Sequence, residues 1–204
     1  MILGGIDSSL CKQIFDAAID QYHLTNHIDS PLPDLNYKCD HELLLFNKNW
    51  IDTVQWHLED EIRDPAIDPK EALKIKRRID KSNQDRTDLV ESLDHYFATQ
   101  LVHIPKTSLS TINTETPAWA IDRLSILALK IFHMREASNR STASERHRKE
   151  CEGKLNVLLQ QQEDLSIAID QLLSDLQIGR KELKLYKQMK MYNDPALNPV
   201  LYKS

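Results

Sequence analysis

The run Asp80-Lys81-Ser82-Asn83-Gln84-Asp85-Arg86-Thr87-Asp88 decides how this chain is read. Taken alone it resembles a loop. Ile79 precedes it, however, and Val90, Leu93, Phe97 and Leu101 follow at helical spacings of 3 and 4 once the gap is bridged. The same spacing puts Asn83 and Arg86 on the apolar seam. A helix with an amide and a guanidinium where leucine belongs holds either a buried polar network or a site.

Working outward, Asp68 as N-cap, Pro69 at the first position and Glu71 at the third open this helix cleanly. It is expected to run to about His103, before Pro105, with Ser82 offering an alternative internal cap and break. Upstream, a helix is expected from about Asp40 to Arg63, ending before Asp64-Pro65. Trp50, Val54, Leu58 and Ile62 share one face of it, and Asn49, Trp56, Glu59, Asp60 and Arg63 a neighbouring face. The connection, Asp64 to Asp68, is short enough to make the two helices antiparallel neighbours, a hairpin over residues 40–103.

Facing positions in that hairpin sum to about 133 if the short turn alone sets the register. Trp50 is then level with Asn83, Asn47 with Arg86, Glu59 with Lys74, and Trp56 with Arg77. One cluster, near the turn, sets Glu59, Asp60, Glu61 and Arg63 against Lys74, Arg77 and Arg78, and reads as exposed ion pairs of about 0–1 kcal/mol each. A second, at mid-hairpin, sets Asn49 and Trp50 against Asp80, Asn83, Gln84 and Arg86. A guanidinium on a seam costs several kcal/mol to desolvate unless paired. Asp80, Asp88 or Glu91 could pair it inside the chain, and so could a bound anion.

The rest of the chain is helical as well. Only four glycines occur and β-branched alternation is nearly absent, so the fold class is all-α, an antiparallel bundle of about five helices. Helix 1 is expected over Ser8–Leu24, capped by Asp7 or Ser8 and carrying Leu10, Ile14, Ala18 and Tyr22 inward. Ser30-Pro31-Leu32-Pro33 is a loop. Helix 4 opens at Thr116-Pro117 after the Ser/Thr-rich segment Lys106–Thr116 and runs to about Ala137.

Helix 5 is the long C-terminal, heptad-patterned helix. Thr142 and Glu145 form a capping box. Cys151, Leu155, Leu158, Gln162, Leu165, Ile169, Leu172, Leu176, Gly179, Leu183 and Tyr186 then form an a/d seam. Continued over 142–192, it would be about 75 Å long. Gln162 and Gly179 interrupt the seam and Gly153 weakens its start, so the helix pairs with helices of its own chain such as 3 and 4, extends into a second copy of the chain, or bends at a glycine. Arg180, Lys181, Lys184, Lys187 and Lys190 suit its C-terminal dipole. An extended tail, 193–204, follows. The expected organisation is one helical domain over 1–204, with a bundle at 1–138.

Composition narrows the function classes. With 28% charged and 41% hydrophobic residues, the chain is neither disordered nor membrane-spanning. A net charge of -5 argues against nucleic acid as the main partner. No signal-peptide pattern opens the sequence, and Cys11, Cys39 and Cys151 lack CxxC spacing, as in reduced cytoplasmic proteins. The eight histidines have no zinc-finger spacing, and His57 reads as a hydrogen-bonded core residue. No nucleophile motif is present.

Asn49-Trp50, Trp56, Glu59-Asp60, Arg63, Lys76-Arg77-Arg78-Ile79-Asp80, Asn83-Gln84, Arg86, Asp88, Glu91 and Asp94 resemble the signature of an uncharacterised bacterial, Bacteroidetes-type all-helical family catalogued as a domain of unknown function, mainly over Leu43–Leu101. The resemblance implies an all-helical fold and no particular activity. It does mark the polar residues to examine.

Two function readings follow. The first is a cytoplasmic helical bundle without cofactor. It is expected to bind a small anionic ligand or a protein partner through Asn49, Trp50, Trp56, Glu59, Asp60, Arg63, Lys76, Arg77, Asp80, Asn83, Gln84 and Arg86, with its last helix as the candidate homo-oligomer surface. The second is a Mg²⁺-dependent enzyme resembling the all-α nucleotide pyrophosphohydrolases, with Glu61-x-x-Asp64 and Glu91-x-x-Asp94 as the metal carboxylates. An unbroken helix 3 would hold those pairs about 30 Å apart along the hairpin.

Overall fold

The computed structural model describes residues 3–35, 37, 39–105, 107–189 and 194–202 of the chain. It is all-α. Five long helices carry the fold: α1 (Ser8–His23), α2 (Asp40–Glu61), α3 (Pro69–Gln100), α4 (Pro117–Asn139) and α5 (Glu145–Gln177). A 3-10 turn, Leu3–Gly5, precedes them and a single turn of helix, α6 (Pro199–Tyr202), follows. Among the described residues, no helix is long and apolar enough to cross a membrane.

The helix starts follow from capping. Asp7 accepts from the Leu10 amide, Asp68 from those of Lys70 and Glu71, and Thr116 from that of Trp119. The start of α5 differs from expectation. Its cap is Ser144, which accepts from the His147 amide, because Arg140 to Ala143 already closes a turn of its own. Ser8 ties α1 to α5, its amide and hydroxyl donating to the two oxygens of Asp170 at 2.8 and 2.7 Å.

The main core draws on all five helices, with Phe15, Ile19, Tyr22, Phe46, Trp50, Leu93, Phe97, Ile121 and Leu124 nearly or wholly inaccessible. A smaller cluster of Leu58, Ile75 and Ile79 fills the turn end of the α2–α3 pair. The helix α3 passes through Ser82 without a break. Its polar run divides by face. Outward, Lys76 pairs with Asp80, Lys81 with Asp85 and Gln84 with Asp88, each four residues apart. Inward, Ser82 and Asn83 bond Gln55, and Thr87 is buried, its hydroxyl donating to the Asn83 carbonyl.

The register within the α2–α3 pair differs from the one expected. Asn83 meets Gln55 rather than Trp50, and Arg86 meets Asp52 rather than Asn47. Side chains lean toward the N-terminus of their own helix, which moves each contact away from the level of the backbone and accounts for part of the offset. The cross-helix ion pairs expected near the turn do not form either. Arg63 pairs with Glu59 on its own segment, Lys74 with Glu71, and Arg78 with Asp29 in the loop before α2.

The last long helix stops far short of Tyr192. Gly179, at φ +71°, is the left-handed residue of a Schellman cap: the Arg180 amide bonds the Asp175 carbonyl, and the Gly179 amide that of Leu176. A side chain there would be strained and would meet the Pro105 carbonyl at 3.1 Å. Beyond the cap, β2 (Lys181–Glu182) pairs in parallel with β1 (Thr111–Ile112) from the Ser/Thr-rich loop. Arg180, Lys181, Lys184 and Lys187 therefore lie outside the helix and do not serve its dipole. Lys190 and Tyr192 lie outside the described residues. The described part of the tail is not extended throughout, since it ends in α6, where Val200 and Tyr202 are exposed.

Candidate functional site

At mid-hairpin Arg86 of the polar run is joined by residues that lie outside it. Lys48 and Asp52, one turn apart on α2, form a wholly buried ion pair. Lys48 also reaches Asp122 of α4 at 2.9 Å. Arg86 of α3 grips Asp122 with two bonds, Nε to Oδ1 at 2.9 Å and Nη2 to Oδ2 at 2.5 Å. Ser125 donates to Asp52 Oδ2 at 2.6 Å and receives the Asn49 amide at 2.9 Å, while Thr53 donates to the Asn49 carbonyl. Two cations and two anions thus close a neutral network among α2, α3 and α4. The partners of Arg86 are Asp122 and Asp52, not Asp80, Asp88 or Glu91, because α4 lies over the hairpin and supplies the acid.

Electrostatics follow from burial. Desolvation raises the Asp52 carboxyl above its ordinary value, against Lys48 and the Ser125 hydroxyl, which lower it. Burial also pushes Asp122 up, but Lys48 and Arg86 together outweigh it and leave that carboxyl below the usual value. For Arg86 the cost of burial is likewise overcome by Asp122 and Asp52, so its guanidinium stays charged.

A cavity of about 330 Å³ opens over this network, lined by Asp52, Gln55, Trp56, Glu59, Asp60, Arg63, Arg86 and Ile126. Five of the candidates from sequence, Trp56, Glu59, Asp60, Arg63 and Arg86, thus share one wall. Among the lining residues is Asp52, whose second carboxylate oxygen is Oδ1. That oxygen is buried, makes no hydrogen bond among the described residues, and stands 3.4 Å from Arg86 Nε. The remaining candidates lie elsewhere. Trp50 is a core residue against Phe46 and Tyr22, and Asn49 is buried in the network. Lys76, Arg77, Asp80 and Gln84 lie on the solvent side of α3, and Asn83 bonds Gln55. Sequence reasoning missed Lys48, Asp52, Asp122 and Ser125. The signal was present: each interrupts an otherwise apolar helix face, as Asn83 and Arg86 do on α3.

The four carboxylates of the Mg²⁺ reading are not brought together. Glu61 and Asp64 stay at the turn, Glu91 receives the Gln188 amide at 3.2 Å, and Asp94 is buried beside Thr116. Asp94 lines a second cavity, about 890 Å³, with Trp119, Arg123 and the extended segment after β2. That segment forms much of the wall, whereas the cavity over Asp52 is built mainly by α2, α3 and α4. Burial raises Asp94 to about 6, with Glu91 adding to the shift and Thr116 opposing it. An acid whose folded pKa lies above its unfolded one stabilises the fold fully below the unfolded value. That contribution fades as pH rises through the folded value. Asp94→Asn is therefore expected to raise stability at pH 7.5 by up to about 3 kcal/mol and to give no gain at pH 4. Paired thermal melts at the two pH values measure this, and equal shifts at both would refute it.

Two groups among the described residues have metal-ligand character. In Cys39, His41 and Glu42, and in His23, His57 and His133, the candidate ligand atoms lie within 4.8 Å of one another. His57 is expected to be a hydrogen-bonded core residue, but its Nε2 is buried without a hydrogen-bond partner among the described residues. Trp56 joins the histidines to the cavity, its indole lining the cavity and stacking on the His133 ring at 4.9 Å.

No curated protein and no solved structure matches the chain. One family model does, over residues 42–185, a span that holds the buried network, the cavity and both of these metal-ligand groups in all but Cys39, His41 and His23. On that match the chain belongs to the family described as Protein of unknown function (DUF4254).

Proposed function

We propose that the protein binds a small polar molecule in the cavity enclosed by α2, α3 and α4, with the buried network as the scaffold that holds the cavity floor in place. The observation that carries this is Asp52, a residue lining the cavity whose Oδ1 is a buried acceptor without a hydrogen bond among the described residues. Such an atom is costly unless a donor reaches it. Trp56 and Ile126 add an apolar wall. The sequence suggested an anion because of Arg86. In the fold an anion would have to displace Asp122 from Arg86, and the lining sets three carboxylates against two guanidiniums. A neutral or cationic molecule bearing hydrogen-bond donors, such as a sugar or an amine, suits this lining better. The pyrophosphohydrolase reading gains no such support, because α3 is continuous and the carboxylate pairs stand apart.

A thermal-shift screen with sugars, polyols, amines and nucleosides tests the proposal. A ligand at a hundredfold excess over Kd adds about 2.7 kcal/mol. For a chain of this size that is a rise of roughly 5–10 °C. The rise is expected to vanish in Trp56→Ala. Hits that stabilise parent and variant equally would place binding outside this cavity.

A further inference from the structure

Three histidines from three helices converge where α1, α2 and α4 meet. His23 ends α1, His57 lies on α2 and His133 on α4. Their ring centroids form a nearly equilateral triangle with sides of 5.4, 5.5 and 5.5 Å, and the rings stand at 63–77° to one another rather than stacked. The Nε2 atoms of all three are buried, and none has a hydrogen-bond partner among the described residues.

Hydrogen bonding at the other ring nitrogen fixes which atom is free. His23 Nδ1 lies 2.7 Å from the Ile19 carbonyl, and His133 Nδ1 lies 3.0 Å from Glu136 Oε2. Both partners can only accept, so both Nδ1 atoms carry the proton and both Nε2 atoms carry a lone pair. A carbonyl or carboxylate behind Nδ1 is also how metal-ligating imidazoles are oriented. Buried ring nitrogens gathered without hydrogen-bond partners are unfavourable, and a cation removes that cost.

We propose that His23, His57 and His133 form a binding site for a zinc-class transition metal, open at a fourth coordination position. The dimensions agree. Imidazoles ligating zinc at about 2.0–2.1 Å in tetrahedral geometry have centroids about 5 Å apart. The ligating nitrogens now lie within 4.8 Å of one another and would draw in to about 3.3 Å, a movement small enough for ring rotation. Neutral imidazole suits Zn²⁺, Cu²⁺, Ni²⁺ and Fe²⁺. Trp56, Phe132 and Tyr22 pack on the three rings and give the site an aromatic shell. The inference is independent of what the neighbouring cavity holds.

The test uses the full chain stripped by a chelator and titrated with Zn²⁺ in a competition assay, then with Co²⁺ as a spectroscopic probe. Saturable binding of one equivalent is expected, with ligand-field bands of four-coordinate cobalt and a rise in Tm that a chelator reverses. His57→Gln, checked for folding by circular dichroism, is expected to weaken Zn²⁺ binding by at least 100-fold. Glu136→Gln keeps the fold, since Glu136 is 59% exposed, and is expected to weaken it by roughly 10–100-fold through its hold on His133. Cys39→Ser probes the other candidate group and is expected to change nothing. The proposal is overturned if the stripped protein binds none of Zn²⁺, Co²⁺, Ni²⁺ or Cu²⁺, if binding is unchanged in His57→Gln, or if it is lost in Cys39→Ser.

Discussion

Lys48→Met is expected to destabilise the protein by about 3–5 kcal/mol, which would unfold a large share of a marginally stable chain. Methionine matches the length of the lysine stem, so little packing is lost. What is lost is the cation between two acids. Lys48 is fully buried and pairs with both Asp52 and Asp122. Without it, Arg86 alone must balance two carboxylates, and the wholly buried Asp52 is 3.4 Å from Arg86. Burial already raises the Asp52 carboxyl, so the variant is expected to take up a proton there and to recover part of its stability at low pH. A second substitution separates charge from shape. Asp52→Asn in the Lys48→Met background removes the stranded charge and should restore part of the loss. Urea melts of the two single variants and the double variant give the coupling energy directly. If the losses simply add, Lys48 and Asp52 are not coupled and the stranded Asp52 charge is not the source of the loss.

The same network explains how much of the molecule was legible in its sequence. Helix existence was readable because caps and apolar spacing are local: Asp7, Asp68 and Thr116 sit where a side-chain oxygen reaches free amides of the next turn. The end of α5 is legible only as one alternative, a bend at a glycine, because leucines at 176 and 183 continue the heptad across Gly179. Glycine enters the left-handed region at little cost, so the helix can stop there against the side-chain pattern. The pairing of β1 with β2 joins loops some seventy positions apart, and no local signal in two-residue strands announces it. The polar run was rightly seen as continuous helix only once its outward pairs and inward residues are told apart, a division that needs the neighbours. Asp122 illustrates the limit. It stands inside an apolar helix and its meaning depends on Lys48 and Arg86, which lie far away in sequence and are joined to it by the fold. The histidine triangle is similar. Its members are separated by 34 and 76 positions, no spacing rule connects them, and each alone reads as an ordinary half-buried ring.

The heptad seam of α5 leads to the second large effect. Leu172→Asp is expected to cost at least about 4 kcal/mol, because a carboxylate would replace a side chain that is 7% exposed within the main core. Around it, Ile169, Leu173 and Leu176 are also buried, and Leu183 beyond the cap packs on the same core. The covering surface comes from within the chain, since α5 packs along α4 and, at its C-terminal half, against α1. Leu165→Asp provides the internal comparison. Leu165 lies on the same seam but is only half-buried at the margin of the core, so its aspartate can turn toward water. A loss of about 1–2 kcal/mol is expected there, within the ordinary range for a partly exposed site. The gradient from 172 to 165 distinguishes a seam covered inside one chain from a seam covered by a second copy. In the second case both changes would dissociate an oligomer, and melting would depend on protein concentration. Sedimentation together with melts at two concentrations reads this out. Equal losses at the two positions, or a concentration-dependent midpoint in the parent, would show that a partner chain covers the seam as far as Leu165.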